Sequence, residues 1–262
     1  IPARYNTIED NIVENNDYGI ILHYGGNQSH PSTATYNQVY ENTLKNNTYG
    51  LYLIGADNNT FHHNNLHEST IAQVVVENST NTWDNGLEGN YWSNYNGLDA
   101  DPLDGIGDSP HVIDANNQDN YPLIGEFHKY QITHIDPGFT LTLISNSTIS
   151  NFDVGVWIEH PENRIIIFNV TGETGFGFCR LCIPKNLIAP PYNVTIDYGQ
   201  TPVLYYNETL FDNSTHRWIY FAYQHSEHQV TIVPEFTSFL VLPLFTLATL
   251  LAVSIYRRKH SM

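Results

Sequence analysis

The apolar and polar positions of the first eighty residues repeat with a period close to 22. The apolar position of Ile8 recurs at Val39, Phe61 and Trp83, with steps of 31, 22 and 22 residues. An asparagine follows three positions after the first three of these, at Asn11, Asn42 and Asn64. Such a period is typical of a solenoid, because stacked coils bury an apolar face that one coil cannot bury alone. Since the LxxLxL pattern of leucine-rich repeats is missing, we predict a parallel β-helix of about three to four coils over residues 1–88.

The pattern changes between residues 128 and 233, where short stretches of alternating apolar residues are separated by turn signals. The stretches are TLTLIS, VGVWIEH, RIIIFNV, FGFCRLCI, YNVTIDY, RWIYFAY and QVTIV. About seven strands at this spacing predict an antiparallel β-sandwich. Cys179 and Cys182 lie in one of these strands, so we expect them to face opposite sides.

A third pattern occupies the carboxyl end, where residues 236–256 are mostly apolar and uncharged and are followed by Arg257, Arg258 and Lys259. This length spans a bilayer, and the basic cluster favours the cytoplasmic side. We therefore predict that residues 234–262 form a membrane anchor with one transmembrane helix, and that everything upstream is extracellular.

Charge and composition fit an exported protein. The chain carries 10 lysines and arginines against 27 aspartates and glutamates, a formal charge of −17, which argues against nucleic acid as a partner. Nine Asn-x-Ser/Thr sequons are candidate glycosylation sites. They are Asn27, Asn46, Asn58, Asn78, Asn146, Asn169, Asn193, Asn207 and Asn213.

Two motifs carry a resemblance to known families. The repeat N-x-I/V-x-x-N and the segment GNYWSNYNGLDADPLDGIGDSPHVIDANNQDNYPL resemble the right-handed parallel β-helix family that includes NosD-type periplasmic proteins and many archaeal surface proteins. The resemblance covers roughly residues 5–124 and implies a right-handed helix at an archaeal cell surface. The tail that begins with PEF resembles a PEF-CTERM signal, which implies a sorting enzyme, an archaeosortase, as a partner.

The Asp/Gly-rich segment over residues 89–127 has no strand or helix periodicity. Calcium accepts carboxylate ligands at short spacing in flexible geometry, so the segment is a candidate calcium site. The candidate ligands are Asp99, Asp101, Asp104 and Asp108. The alternative is a metal-free loop of Asx turns. We also expect the segment to cap the β-helix, with aromatic residues folded over the last coil, namely Tyr91, Trp92, Tyr95 and Tyr121.

Many right-handed β-helices are polysaccharide lyases or hydrolases, and lyases need lysine or arginine beside the bond that they cleave. Between residues 1 and 126 the basic side chains are only Arg4 and Lys45. We therefore expect a non-catalytic protein, with a fragment of a polysaccharide-active enzyme as the alternative.

Two clusters are candidate binding residues. Tyr18 and Tyr49 occupy equivalent coil positions, with Tyr24 and Tyr52 nearby, and these rings either receive sugar or stabilise the stack as a ladder. The other cluster is His62, His63 and His67, which the NosD resemblance would link to copper. We expect His62 and His63 to point to opposite faces of a strand, which disfavours a shared metal.

Together these patterns predict a membrane-anchored cell-surface protein with a structural, adhesive or carbohydrate-binding role. The expected partners are the membrane, surface polysaccharide and a sorting enzyme, and calcium is the one candidate cofactor. A NosD-like copper association remains a further alternative.

Overall fold

The structure is a computed structural model that describes residues 3–27, 30–32, 34–100, 102–135, 137–157 and 160–235. Within these ranges the chain is built from β-strands, with one short 3-10 helix at Asp197–Gly199 and no α-helix. The predicted transmembrane helix over residues 236–256 lies outside the described residues. No helix within the described ranges is long and apolar enough to cross a membrane.

Short strands from successive coils form three parallel sheets in the amino-terminal half. All strands of this half are, in chain order, β1 (Thr7–Glu9), β2 (Ile12–Glu14), β3 (Tyr18–His23), β4 (Gly25–Asn27), β5 (His30–Ser32), β6 (Gln38–Tyr40), β7 (Thr43–Lys45), β8 (Tyr49–Ile54), β9 (Thr60–His62), β10 (Asn65–Leu66), β11 (Ala72–Glu77), β12 (Tyr91–Trp92), β13 (His111–Asp114) and β14 (Asn117–Asp119). The pairs β4-β5 and β13-β14 are antiparallel and lie outside the parallel sheets. The sheets have the orders β1-β6-β9, β2-β7-β10-β12 and β3-β8-β11. Pairing of Ile8 with Val39 and of Val39 with Phe61 follows the predicted repeat, so the parallel β-helix prediction is confirmed. The inserted loop between the first two coils contains the β4-β5 hairpin.

Two asparagine ladders run along the corners of the coils. In each ladder the side-chain amide of one asparagine donates to the Oδ1 of the next over 2.9–3.0 Å. One ladder contains Asn11, Asn42 and Asn64, the asparagines of the sequence repeat, and continues to Asn90. A second ladder, which the sequence analysis did not identify, contains Asn6, Asn37, Asn59 and Asn81. The residue before six of the eight ladder asparagines has a left-handed backbone, as in Glu41 (φ 59°) and His63 (φ 57°). This conformation turns the chain sharply and directs the following asparagine into the stack.

The Asp/Gly-rich segment closes both ladders at the last coil. Asn117 Oδ1 accepts the Asn81 backbone N–H at 2.9 Å, and Asp119 Oδ2 accepts the Asn90 backbone N–H at 2.7 Å. The indole N–H groups of Trp83 and Trp92 bond to the same two acceptors, at 3.1 and 2.9 Å. The contacts that end the stack are therefore polar as well as aromatic. Of the four aromatic residues expected there, Trp92 is buried and Tyr95 packs against the coil core, whereas Tyr91 packs against a separate apolar cluster and Tyr121 is exposed.

Two antiparallel sheets of five and four strands form the carboxyl-terminal half. The strands are β15 (Glu126–Ile132), β16 (Phe139–Ser145), β17 (Thr148–Trp157), β18 (His160–Thr171), β19 (Phe176–Pro184), β20 (Tyr192–Ile196), β21 (Tyr205–Asp212), β22 (His216–Gln224) and β23 (Glu227–Pro234). Their orders are β15-β16-β19-β22-β21 and β17-β18-β23-β20, and the apolar core lies between the two sheets. Strands β15 and β21 were not predicted, because polar residues interrupt their alternation. Cys179 is buried in the core, while Cys182 lines a cleft on the opposite face.

The β-helix and the Asp/Gly-rich segment pack against the outer face of the five-stranded sheet. An apolar cluster that includes Ile106, Leu123 and Phe127 fills part of this contact. Beside it, Asn65 Nδ2 donates to the Phe127 carbonyl at 2.9 Å, and the Phe127 N–H donates to Asn65 Oδ1 at 2.8 Å. Lys129 forms ion pairs with Asp10 and Glu41 of the first two coils. These contacts hold the coils and the sandwich together.

Candidate functional site

A cleft of about 520 Å³ lies where the last coil meets the outer face of the sandwich. Its apolar lining includes Leu87, Phe211, Tyr121 and Trp218. Leu87 is 58% exposed, Phe211 43% and Tyr121 39%, while Trp218 is half-buried. Exposed apolar side chains of this size around one concave site are typical of ligand-binding surfaces.

The polar lining of the cleft includes a network of three side chains, of which Glu88 and Arg180 are buried and His63 is half-buried. Glu88 Oε1 accepts from Arg180 Nε at 2.9 Å and from Arg180 Nη2 at 2.8 Å, and Glu88 Oε2 bonds to His63 Nε2 at 2.9 Å. Arg180 Nη1 donates to the Asp104 carbonyl at 2.8 Å. Burial alone raises the pKa of Glu88, but the hydrogen bond from His63 and the charge of Arg180 lower it to about 2. Glu88 therefore stays ionised at neutral pH and holds no proton to donate as a general acid.

A tight turn presents Leu87 and Glu88 to the cleft. Asp84 Oδ1 accepts the Gly86 N–H at 2.9 Å, and Asn85 Oδ1 accepts the N–H groups of Leu87 and Glu88, each at 2.9 Å. Gly86 has a φ of 88°, which a residue without a Cβ adopts at little cost. The WDNGLEGN sequence is thus a turn signal, but nothing local in it indicates that the turn meets Arg180.

The structure brings together three of the four predicted sugar-binding tyrosines. Tyr18 and Tyr49 stack with ring centroids 5.2 Å apart, and Tyr52 packs edge-on against both. Tyr24 instead stacks on His23 at 4.6 Å, beyond the far end of β3. The mutual stack covers one face of Tyr18 and one face of Tyr49, and Tyr52 packs against both, so this geometry favours the ladder alternative. Sugar binding by these residues stays a prediction.

The described aspartates of the candidate calcium site bond to backbone amides of their own segment. Asp99 accepts from the N–H groups of Asp104 and Gly105 at 3.1 and 2.8 Å, and Asp108 accepts from Ala100 at 2.8 Å. Burial raises the pKa of Asp99 and of Asp104. Asp101 lies outside the described residues. These bonds are those of the metal-free Asx-turn alternative, and calcium binding remains a prediction.

The histidine cluster differs from the expectation in one respect. His62 and His63 do not point to opposite faces, since their rings make an edge contact with centroids 4.8 Å apart. The expectation was wrong because His63 is a left-handed corner residue rather than a strand residue. Burial lowers the pKa of His62 to about 4, and its Nδ1 atom has no hydrogen-bond partner among the described residues. His67 lies apart and faces Glu126, 3.7 Å away.

The sequons differ in accessibility. Exposed asparagines are Asn46, Asn58, Asn78, Asn146, Asn193 and Asn213, and half-buried ones are Asn169 and Asn207. The side chain of Asn27 lies outside the described part of the chain. Glycosylation stays a prediction at all nine.

Fold and cleft define a parallel β-helix protein that carries an antiparallel sandwich. Residues 2–97 match the family model described as periplasmic copper-binding protein (NosD). This part of the chain is therefore NosD-like, and the match ends close to the last coil. No curated protein and no solved structure matches the chain.

The residues of the NosD-like part are a poor fit to copper. Soft ligands for copper(I) are missing, because the chain's two cysteines are Cys179 and Cys182 and its one methionine is Met262. Among the described residues, three ligand atoms converge only at Glu9, Asp10 and Glu41, which offer hard oxygens. The Lys129 ammonium already bonds to two of these three carboxylates. No described group of three converging ligands contains a histidine.

Proposed function

We propose that this chain is a non-catalytic cell-surface protein whose β-helix, held on the sandwich, has a structural or adhesive role toward surface polysaccharide. The observation that carries the proposal is the set of hydrogen bonds and ion pairs that joins the β-helix to the sandwich, called the interlock below. Asn65 and Phe127 exchange two hydrogen bonds, and Lys129 joins two separate coils to β15. Such an interlock supports a rigid unit that presents its surface without changing shape.

The buried carboxylates also support a non-catalytic role. Glu88 is held ionised by Arg180 and His63, and Asp119 accepts hydrogen bonds that end a ladder. An acid–base catalyst needs a carboxyl that can exchange its proton with substrate. These two carboxyls are instead bonded to the protein around them. A polysaccharide lyase or hydrolase is the alternative that the assay below distinguishes.

The proposed location is the outer surface of the cell. The match to a family described as periplasmic favours a location beyond the cytoplasmic membrane. Residues 236–256 would form the anchor, with the basic end on the cytoplasmic side and a sorting enzyme acting on the tail. A protease-protection assay on intact cells tests this orientation, since cleavage within the sandwich from outside is expected.

The test of the function uses the purified full chain in mild detergent with a panel of neutral and acidic polysaccharides. Retention of the chain on a polysaccharide, without release of new reducing ends, is the expected result. Release of new sugar ends would replace the proposal with the enzyme alternative. Neither retention nor release would remove carbohydrate from the proposal and leave a purely structural role.

Copper association is the second candidate, favoured by the family match of residues 2–97. The best placed nitrogen is the unpartnered Nδ1 of His62, beside the ring of His63. Titration with copper, followed by spectroscopy of the bound ion, should show binding that the His62→Ala variant abolishes. His134→Ala is the matched control, because its side chain is 56% exposed and lies in the sandwich. Equal binding by both variants would assign the copper elsewhere.

A further inference from the structure

We propose that the cleft between the last coil and the sandwich is a binding site for an uncharged sugar ring of a neutral glycan. This inference rests on the proposed carbohydrate role and gives that role a site other than the tyrosine ladder. The site combines Leu87 and Glu88 from the coil with Arg180 and Trp218 from the sandwich. It therefore exists only when the two halves are docked.

The apolar lining of the cleft suits the C–H face of a sugar ring. Trp218 and Phe211 pack edge to face, with ring centroids 5.1 Å apart, on neighbouring strands of the five-stranded sheet. Leu87 and Tyr121 approach from the coil side. The volume of about 520 Å³ lies in the range of roughly 300–1,000 Å³ that is usual for small-molecule sites. Whereas Tyr18 and Tyr49 stack on each other, Trp218 is half-buried, lines the cleft and has no parallel stacking partner in the described chain.

The polar lining favours an uncharged ligand. Arg180 donates from Nε and Nη2 to Glu88 and from Nη1 to the Asp104 carbonyl. The Glu88 carboxylate therefore already neutralises its positive charge. Burial raises the pKa of the Cys182 thiol to about 12, which leaves Cys182 neutral as well. No unneutralised cation among the lining residues is left to attract a carboxylate or a phosphate. The formal charge of −17 on the whole chain further disfavours anions.

The same network can recognise hydroxyl groups. Glu88 Oε2 has one lone pair beyond its bond to His63, whereas Oε1 already accepts twice from Arg180. Three of the five N–H groups of Arg180 are engaged, which leaves two donors. Because Arg180 and His63 hold the carboxylate in one position, binding would cost little reorganisation. A sugar ring that stacks on Trp218 while its hydroxyl groups bond to Glu88 would contact the apolar and the polar lining of the cleft at the same time.

The test measures binding of the full chain, in mild detergent, to dextran, laminarin and mannan as neutral glycans and to alginate and polygalacturonate as acidic ones. Two variants probe the cleft: Trp218→Ala removes the ring face, and Leu87→Ala shortens an exposed turn residue whose loss should leave the fold intact. The control is the Tyr18→Ala/Tyr49→Ala double variant. Circular dichroism and thermal melts establish that each variant is folded.

We expect at least one neutral glycan to bind and to change the tryptophan emission of the wild-type chain. Trp218→Ala should weaken that binding by about tenfold or more and Leu87→Ala by a smaller factor, while the tyrosine variant binds as wild type. Binding that the tyrosine variant loses and folded Leu87→Ala and Trp218→Ala retain would overturn the cleft but keep the carbohydrate function. Tighter binding of the acidic glycans than of the neutral ones would overturn the inference that the ligand is uncharged. Failure of every glycan to bind would overturn both the site and the proposed carbohydrate role.

Discussion

Asp119 gives the stability of the β-helix a distinctive dependence on pH. Its carboxyl is fully buried, and burial raises the pKa to about 6, against the lowering effect of hydrogen bonds from Trp92, Asn90 and Tyr121. The pKa in the folded state therefore lies above the value of an aspartate in the unfolded chain, 3.8. Ionisation of Asp119 therefore destabilises the folded state. The contribution of Asp119 to the unfolding free energy is greatest below the unfolded pKa and is lost as pH rises through about 6.

The size of this effect follows from the pKa difference. A shift of about two units corresponds to about 3 kcal/mol in all. Between pH 7 and about 4.5, linkage gives a gain of about 2 kcal/mol on acidification, because the folded state is then largely protonated. In a chain of this size, that gain raises the melting temperature by about 4–8 °C.

Asp119→Asn isolates this contribution. The amide oxygen of the variant can still accept from Asn90 and Trp92, whereas the amide nitrogen cannot accept the Tyr121 N–H. The lost bond lowers the unfolding free energy of the variant by an amount that does not depend on pH. Other titrating groups, Glu88 and His62 among them, are common to both proteins and cancel in the difference. Unfolding free energies of the two proteins, followed by tryptophan emission in urea at several pH values, give the measurement.

The expected result is a free-energy difference that moves by about 2 kcal/mol in favour of the wild type as pH falls from 7 to about 4.5. A difference that does not vary with pH would refute the reasoning. It would mean that the bonds from Trp92 and Asn90 fully offset the burial of the Asp119 charge.

Three further substitutions test the contacts that hold the fold. Asn42→Ala should lower the unfolding free energy by about 2–4 kcal/mol, because buried backbone groups lose their hydrogen-bond partners. The control Asn16→Ala, at the exposed first coil, should lower it by less than about 1 kcal/mol. Urea unfolding of both variants gives the comparison. Gly89→Ala would place a Cβ 1.8 Å from Asp119 Oδ1, so we expect a loss of about 3 kcal/mol or more, which a thermal melt near wild type would contradict. Lys129→Met leaves carboxylates of two coils unpaired and should destabilise by about 1–3 kcal/mol, with a larger loss at low salt; equal melting shifts at low and high salt would count against an ionic role.

The sequence predicts the coil register well, because side-chain burial and hydrogen bonding repeat at the same interval. Ile8, Val39 and Phe61 align through apolar identity, and a one-residue slip would expose all of them. The ladder through Asn6 and Asn37 was missed although its members also repeat. Asparagine is so common in this chain that one recurring position does not stand out from the others.

The cleft could not be predicted in the same way. Its polar network joins Glu88 to Arg180, which are 92 residues apart in the chain, and the hydrogen bond between them depends on how two folded halves meet. Each residue on its own has an ordinary local explanation, Glu88 in a turn and Arg180 in a strand. The histidine error has a similar origin, since whether His63 lies on a strand or at a corner depends on its backbone conformation.

Ladder polarity explains why the Asp/Gly-rich segment ends the stack as it does. In the ladder that begins at Asn11, Asn42 and Asn64 each accept from the coil before and donate to the coil after. The final asparagine, Asn90, therefore needs an acceptor and has no further coil to donate to. At neutral pH Asp119 is mostly ionised, is then an acceptor without a donor group, and meets this need directly. Asn117 ends the other ladder only because its amide N–H groups bond to the Ser79 carbonyl and to Asp114. Carboxylates in this segment therefore have a structural role that requires no metal, since Asp119 accepts from the backbone and side chain of Asn90 and from the Trp92 indole at the last coil.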